Sequence, residues 1–221
     1  MKKTIILFVL ILLSVVSIAQ IKYGLRAGMT LSSYNLAQSV YQFKPGIHIG
    51  GVADIPLGSS KFSFVPGVYF ADKGTKTKGH FPPENVDFVL PVDKYFFEGT
   101  DYKYQLEIPL LFTYKIKINE KSSLKPQIGV YLSYGILGIS KEKRYYDEGA
   151  VSSGCPTEFT YYSHFYDKNG SFWGYGGNIG LSIFYNKFSY TFSCDVGYLD
   201  YIVRPTEYPD ICMFFSLGYN F

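Results

Sequence analysis

Hydrophobic and polar residues alternate along most of this chain with a period of two, the spacing of a strand with one apolar face, and hardly anywhere with helical spacing. From Lys22 to Ser33 the odd positions Tyr23, Leu25, Ala27, Met29 and Leu31 are apolar, with Lys22, Gly24, Arg26, Gly28 and Thr30 between them. The last such segment, about Ile211 to Phe221, puts Ile211, Met213, Phe215, Leu217, Tyr219 and Phe221 on one face. Cys212, Ser216, Gly218 and Asn220 take the other, and Phe214 breaks the pattern. Six more segments of this kind lie at 44–57, 61–73, 101–117, 122–137, 171–186 and 187–199, so the pattern predicts eight strands.

Most of these segments exceed the 9–11 residues that a tilted transmembrane strand requires. The links between them alternate in length. Gly58 and Ser59, Asn119 to Lys121, and Asn186 with Lys187 make tight turns, whereas 34–43, 74–100, 138–170 and 200–210 are long. Short turns on one side of a membrane and long loops on the other are the layout of an antiparallel outer-membrane barrel. In the fourth segment Tyr102, Tyr104, Leu106, Ile108, Leu110, Phe112 and Tyr114 share a face with aromatics at both ends and aliphatics between. That is an aromatic girdle around an apolar belt. The expected fold is all-β, an eight-stranded antiparallel up-and-down transmembrane barrel with short periplasmic turns and long extracellular loops. Pro66 and Pro109 fall inside strands and cannot donate a ladder hydrogen bond, so β-bulges are expected there.

The start of the chain departs from this pattern. Lys2 and Lys3 precede an apolar run from Ile5 to Leu13, then small residues Ser17 and Ala19 before Gln20. This reads as a secretory signal peptide, residues 1–20, cleaved after Ala19 or Gln20 and leaving 21–221 as one barrel domain. The run is too short for a helical membrane anchor, and no cysteine follows the cleavage site to make a lipoprotein.

Composition adds two constraints. Tyr at 22, Phe at 19 and Gly at 22 are more than a soluble domain of this size usually needs, and a net charge of +3 with scattered lysines gives no footprint for nucleic acid. The polar faces carry Arg26, His48, Asp54, Lys103, Glu107 and Asp195, which cannot face lipid cheaply and are expected to fill the lumen and neutralise one another. A narrow barrel can be plugged by its own side chains. The other readings of these six are a proton path or a small-solute pore. A lipocalin-like soluble barrel would instead turn the apolar face inward, leaving the aromatics crowded inside.

Candidate chemistry is sparse. Ser163, His164 and Glu158 in the third long link could make a lipid-modifying enzyme, provided that a base reaches the hydroxyl and a third group orients it. The histidines His48, His80 and His164 are scattered, giving no metal centre, and no cofactor motif appears. Cys155, Cys194 and Cys212 are too few and too widely spaced for a disulfide scaffold, although export permits a bond, with Cys155 and Cys212 the expected pair if both lie near the outer rim. The long links are strongly aromatic, and Phe96, Phe97, Tyr161 and Tyr162 are candidates for a partner-binding interface.

Taken in order, the segments YGLRAGMTLSSY, GIHIGGVADIPLGSSKFSFVPGVYFADKGTK, YQLEIPLLFTYKI, LKPQIGVYLSYGILG and the closing FFSLGYNF resemble the PorT-type outer-membrane barrel proteins of Bacteroidetes over almost the whole mature chain. The likeness includes the Gly28 and Gly46 to Gly51 spacings, Lys73-Gly74 and Glu107-Ile108-Pro109. The resemblance implies the cell outer membrane, contact with its lipid, and a monomeric barrel with an envelope protein partner. A link to protein secretion, known for at least one such protein, would follow by analogy only. Phe221, after alternating apolar residues, is similar to the C-terminal signal read by the outer-membrane assembly machinery.

Overall fold

The computed structural model describes residues 21–34, 41–81, 95–146, 158–164, 173–199 and 210–221. Eight long strands carry the fold: β1 (Lys22–Tyr34), β2 (Lys44–Pro56), β3 (Phe62–Phe81), β4 (Tyr95–Tyr114), β5 (Ser122–Tyr146), β6 (Trp173–Tyr185), β7 (Phe188–Leu199) and β8 (Asp210–Asn220). Each pairs antiparallel with its neighbour in sequence, and β1 pairs with β8 from Gly24↔Asn220 to Tyr34↔Asp210, closing an up-and-down ring of eight. Closure leaves the ring itself without a free edge among the described residues, which is the condition for crossing a bilayer with strands. Three short pieces extend the ladders: Tyr41–Gln42 on β3, and Ile116–Lys117 and Glu158–His164 on β5.

The tight turns are built by local chemistry. Gly58 takes a φ of 64° between β2 and β3, and Asn186 takes 53° between β6 and β7, a left-handed conformation that Asn tolerates better than most residues. At the β4–β5 turn the Asn119 side-chain oxygen accepts from the backbone N–H groups of Lys121 and Ser122 at 2.9 and 2.7 Å.

Alternation sorts the two faces inside out relative to a soluble protein. Leu25, Ile47, Ile128 and Leu217 on the outer wall are 58–66 % exposed, and they belong to a continuous apolar band. A band of that extent is untenable in water but suits lipid. Cross-strand aromatic pairs bracket it: Phe62 with Tyr114 (4.9 Å) and Phe188 with Tyr219 (5.5 Å) at the periplasmic end, Phe70 with Tyr104 (6.1 Å) and Tyr134 with Trp173 (5.1 Å) at the other. The core is the lumen, and it is mostly polar. Phe214 breaks the outward pattern because it faces inward and is buried there.

The prolines behave differently from expectation. No bulge forms at either: the β2–β3 register is the same at Val52↔Gly67 and Ile55↔Phe64, and the β3–β4 register the same at Pro66↔Leu110 and Tyr69↔Glu107. The ladder omits the rungs beside each ring, where the donor is missing, and resumes in step. Gly67 makes room, since a Cβ there would come within 3.3 Å of the Pro109 ring. The register shift of β4 against β5 lies elsewhere, between Tyr104 and Gln105, which face Leu137 and Gly135 and leave Ile136 as the extra residue.

A second irregularity shapes the lumen. Six positions separate Gln42 from His48, but five separate their β3 partners Ala71 and Lys76, and no rungs form between. β3 turns inward here, with Gly74 at a φ of 148°. Thr30 and Ser32 of β1 reach over Gly46 to donate to the Asp72 and Gly74 carbonyls at 2.7 and 2.9 Å, and Gly74 N–H donates back to Ser32 at 2.8 Å. A side chain at Gly46 would collide with the Asp72 carbonyl and with Thr30, so glycine permits the substitution of side-chain bonds for ladder bonds.

Candidate functional site

The inward turn of β3 carries Lys73 to the middle of the lumen. Its ammonium donates to Glu107 of β4 and, at 2.9 Å, to Asp195 of β7. It also lies 4.8 Å from the Tyr131 ring centre and 4.9 Å from that of Phe214, so two carboxylates and two aromatic faces enclose one cation. From Asp195 a chain of hydrogen bonds runs along the inner wall: Asn178 donates to it at 2.5 Å, Gln127 to Asn178 at 3.4 Å, and Ser182 to Gln127 at 3.3 Å. Strands β3 to β7 are thereby tied together from inside.

All six expected lumen residues lie on the inner face. Arg26, His48, Lys103, Glu107 and Asp195 are 1–6 % exposed, and Asp54 sits lower, near the periplasmic mouth. Their partners are mostly not one another. Lys103 pairs with Asp210 at 3.7 Å, Asp54 with Lys125, and His48 Nε2 lies 2.8 Å from the Ser216 hydroxyl with Phe214 edge-on at 5.1 Å. Arg26 Nε is buried without a protein partner, beside a void of about 20 Å³ that is large enough for a water. Lys44 and Asp72 add another pair at 2.6 Å. Among the described residues, five cations, Arg26, Lys44, Lys73, Lys103 and Lys125, thus share the lumen with the carboxylates Asp54, Asp72, Glu107, Asp195 and Asp210, and Asp101, higher on the inner face of β4, accepts from Ser140 at 2.6 Å.

Sequence reasoning missed Lys73 as the hub and missed Lys44, Asp72, Lys125 and Asp210 as partners. Alternation from Lys73 would put Asp72 on the outer face, and only the inward turn of β3 brings it against Lys44. The one available signal was the Lys73-Gly74 step itself.

Beyond the hub the described lumen offers little space. Two voids, one under Lys103 and Tyr131 and one beside Arg26, are about 20 Å³ each. The larger cavities are at the ends. One of about 480 Å³ opens at the periplasmic mouth among Lys22, Lys61, Lys115, Lys121 and Lys187, with Lys125 and Asp54 at its floor. The other, about 420 Å³, lies outside the lumen, against the outer wall at the extracellular end of β3, β4 and β5.

The expected loop residues lie on strands. β3 runs on to Phe81 and β4 begins at Tyr95, so Phe96 and Phe97 are strand residues, and Phe97 is buried. Tyr161 and Tyr162 sit on the Glu158–His164 piece, opposite Glu142 and Lys141 of β5. Outside the bilayer the outer face meets water instead of lipid, so the hydrophobic alternation fades from the sequence while the ladder continues. Ser163 and His164 are adjacent on that same piece, but Glu158 is at its far end, roughly 20 Å of extended chain from His164. Cys194 and Cys212 are free thiols, not the expected bond between Cys212 and Cys155; Cys155 lies outside the described residues. Among the described residues no group of His, Cys, Asp and Glu is arranged to hold a metal.

No curated protein matches the chain. Among solved structures, Ail, the attachment invasion locus protein of Yersinia pestis, in complex with the heparin analogue sucrose octasulfate, is 15% identical with a TM-score of 0.40, covering 91% of this chain and 99% of that one. Neisserial surface protein A is 14% identical with a TM-score of 0.36, covering 90% and 95%. Residues 18–199 match the outer membrane protein beta-barrel domain, and the chain, a closed ring of antiparallel strands with an apolar wall, belongs to that family.

Proposed function

We propose that this protein is a non-enzymatic outer-membrane barrel that acts by binding, holding a partner at its extracellular end as an accessory component of the cell envelope. The observation that carries this reading is the unequal length of the strands. β1, β2, β6, β7 and β8 have 11–13 residues, close to what one crossing needs, whereas β3, β4 and β5 have 20, 20 and 25. Above Tyr102, β4 continues for about seven residues, roughly 23 Å of chain, laddered to β3 and β5 throughout. This pillar stands beyond the length that one crossing needs, and segments carried on a rigid scaffold are a common way to build a binding surface.

The filled lumen supports a plug rather than a pore, with Arg26, His48, Asp54, Lys103, Glu107 and Asp195 sealing and stiffening the barrel. The distance between Glu158 and His164 weighs against a lipid-modifying triad. The likeness to PorT-type proteins of Bacteroidetes favours an accessory role, including one linked to protein secretion. On this reading residues 1–20 are a cleaved leader, 21–221 form a monomeric barrel, and Phe221 is the mark recognised during assembly.

The test is purification of the tagged protein from its own outer membrane in mild detergent, followed by native mass spectrometry. A stoichiometric protein partner that is lost when residues 82–94 and 147–157 are replaced by short turns supports the reading. A bare barrel, or a partner that survives both replacements, overturns it.

A further inference from the structure

Above the girdle, alternation on the pillar leaves a defined set of side chains on its outer wall. Pairing aligns Lys76 with Thr100 and Thr100 with Lys141 in one row, and Lys78 with Glu98 and Glu98 with Lys143 in the next. The rows stand two and four residues beyond the Gly74↔Tyr102 rung, so about 7 and 13 Å along the strands from the upper aromatic belt. Four lysines and one glutamate therefore sit on the lipid-facing side of the wall at headgroup height. They line one shallow concavity of about 420 Å³ together with Tyr102 and Gln42.

The glutamate offsets one of the four lysine charges. Lys78 donates to Glu98 at 2.7 Å while both remain largely exposed, and this hydrogen bond and charge, with Lys143 beyond, hold the carboxyl below its usual range. In the row nearer the membrane, Thr100 stands between Lys76 and Lys141.

We infer that this outer wall of β3, β4 and β5 binds the phosphate groups of the phosphorylated glycolipid in the outer leaflet. Two features select that occupant. The patch is continuous with the apolar band that already contacts acyl chains, so a lipid seated there brings its headgroup to the lysines. Ammonium groups flanking a hydroxyl suit a phosphate, whose oxygens accept from both. Basic side chains immediately outside a membrane-spanning segment are the usual readers of anionic headgroups. The inference is independent of what residues 82–94 and 147–157 bind.

The experiment uses the full barrel in non-ionic detergent, titrated with bis-phosphorylated lipid A and separately with lipid A stripped of phosphate, and read by native mass spectrometry. The variant is Lys76→Gln, Lys78→Gln, Lys141→Gln and Lys143→Gln together. A control removes four lysines from the periplasmic end, Lys61, Lys115, Lys117 and Lys121, so that both lose the same net charge. Heat-modifiable gel migration verifies that each remains folded. Affinity for bis-phosphorylated lipid A is expected to fall at least tenfold in the first variant and less than twofold in the control, and the stripped lipid should bind the native chain at least tenfold more weakly. Equal binding of the two lipids, or equal losses in the two variants, would overturn the assignment.

Discussion

Replacing Lys73 with Met removes the positive charge from the centre of the lumen while keeping most of the side-chain volume. Glu107 and Asp195 then face each other without the cation that both now contact. Removing one partner of a buried pair costs about 3–5 kcal/mol, because the remaining charge is left uncompensated. The cation–π contacts with Tyr131 and Phe214 also go, although Met sulfur on an aromatic ring recovers part of that loss. A total near 4 kcal/mol is a large part of the roughly 5–15 kcal/mol that holds a domain of ordinary stability together. For an unfolding slope of about 2 kcal/mol per molar urea, the midpoint in lipid vesicles should fall by about 2 M. The decisive variant adds Glu107→Gln and Asp195→Asn to Lys73→Met. With all three neutral, the hydrogen bond from Asn178 can persist, and stability should return to within about 1.5 kcal/mol of the native chain, as for neutralised buried triads elsewhere. A single variant that costs under about 1 kcal/mol, or a triple variant as unstable as the single, would refute the view that one ammonium holds the two acids together.

Two glycines give a matched pair. Gly28→Ala puts a Cβ into the Phe215 backbone carbonyl and should cost about 1–3 kcal/mol, whereas Gly51→Ala, whose nearest neighbour would be the Gly24 carbonyl at 3.8 Å, should be neutral or slightly stabilising in the same urea assay. In planar bilayers the native protein should give no steady conductance; sustained discrete steps, reduced by Glu107→Gln, would mean that the lumen conducts. Phe221→Ser should lower the amount of barrel reaching the outer membrane several-fold while leaving the urea midpoint of purified protein almost unchanged, because the ring is 66% exposed. Unaltered levels in the membrane would remove Phe221 from any role in assembly.

Much of this fold was legible because lipid preserves the simplest sequence signal. One face of every strand meets hydrocarbon and the other meets packed polar side chains, so alternation identified the strands, the inner face of Arg26, His48, Lys103, Glu107 and Asp195, and the parity of the turns. What alternation cannot encode is departure from itself. Asp72 enters the lumen only because β3 loses its rungs to β2 and turns inward, and that depends on Thr30, Ser32 and Gly46 of two other strands. The shift at Tyr104 is likewise a relation between β4 and β5, with no mark in either segment alone. Phe214 was visible as a break in pattern, and its meaning, an aromatic face for His48 and Lys73, required the partners. In the upper parts of β3, β4 and β5 the outer face meets water instead of lipid, and the apolar period that marks a strand is lost.

The arrangement also limits where this barrel can act. Its wall is an apolar belt with few distinguishing features, and its lumen carries charges that are nearly all matched, with voids about the size of a water. A residue changed in either place alters stability before it alters recognition. The ends differ from each other: the periplasmic strands close in turns of a few residues, while three strands at the opposite end run nearly twice the length a crossing needs. Extending a ladder into water gains no lipid contact and orders many residues, each at about 1–2 kcal/mol of backbone entropy, so hydrogen bonding and packing within the pillar must offset that cost. A structure stabilised only for membrane insertion would stop at the girdle. That β3, β4 and β5 continue together, in register and with lysines on the outer wall, places the distinctive surface of this molecule outside the cell rather than inside the barrel.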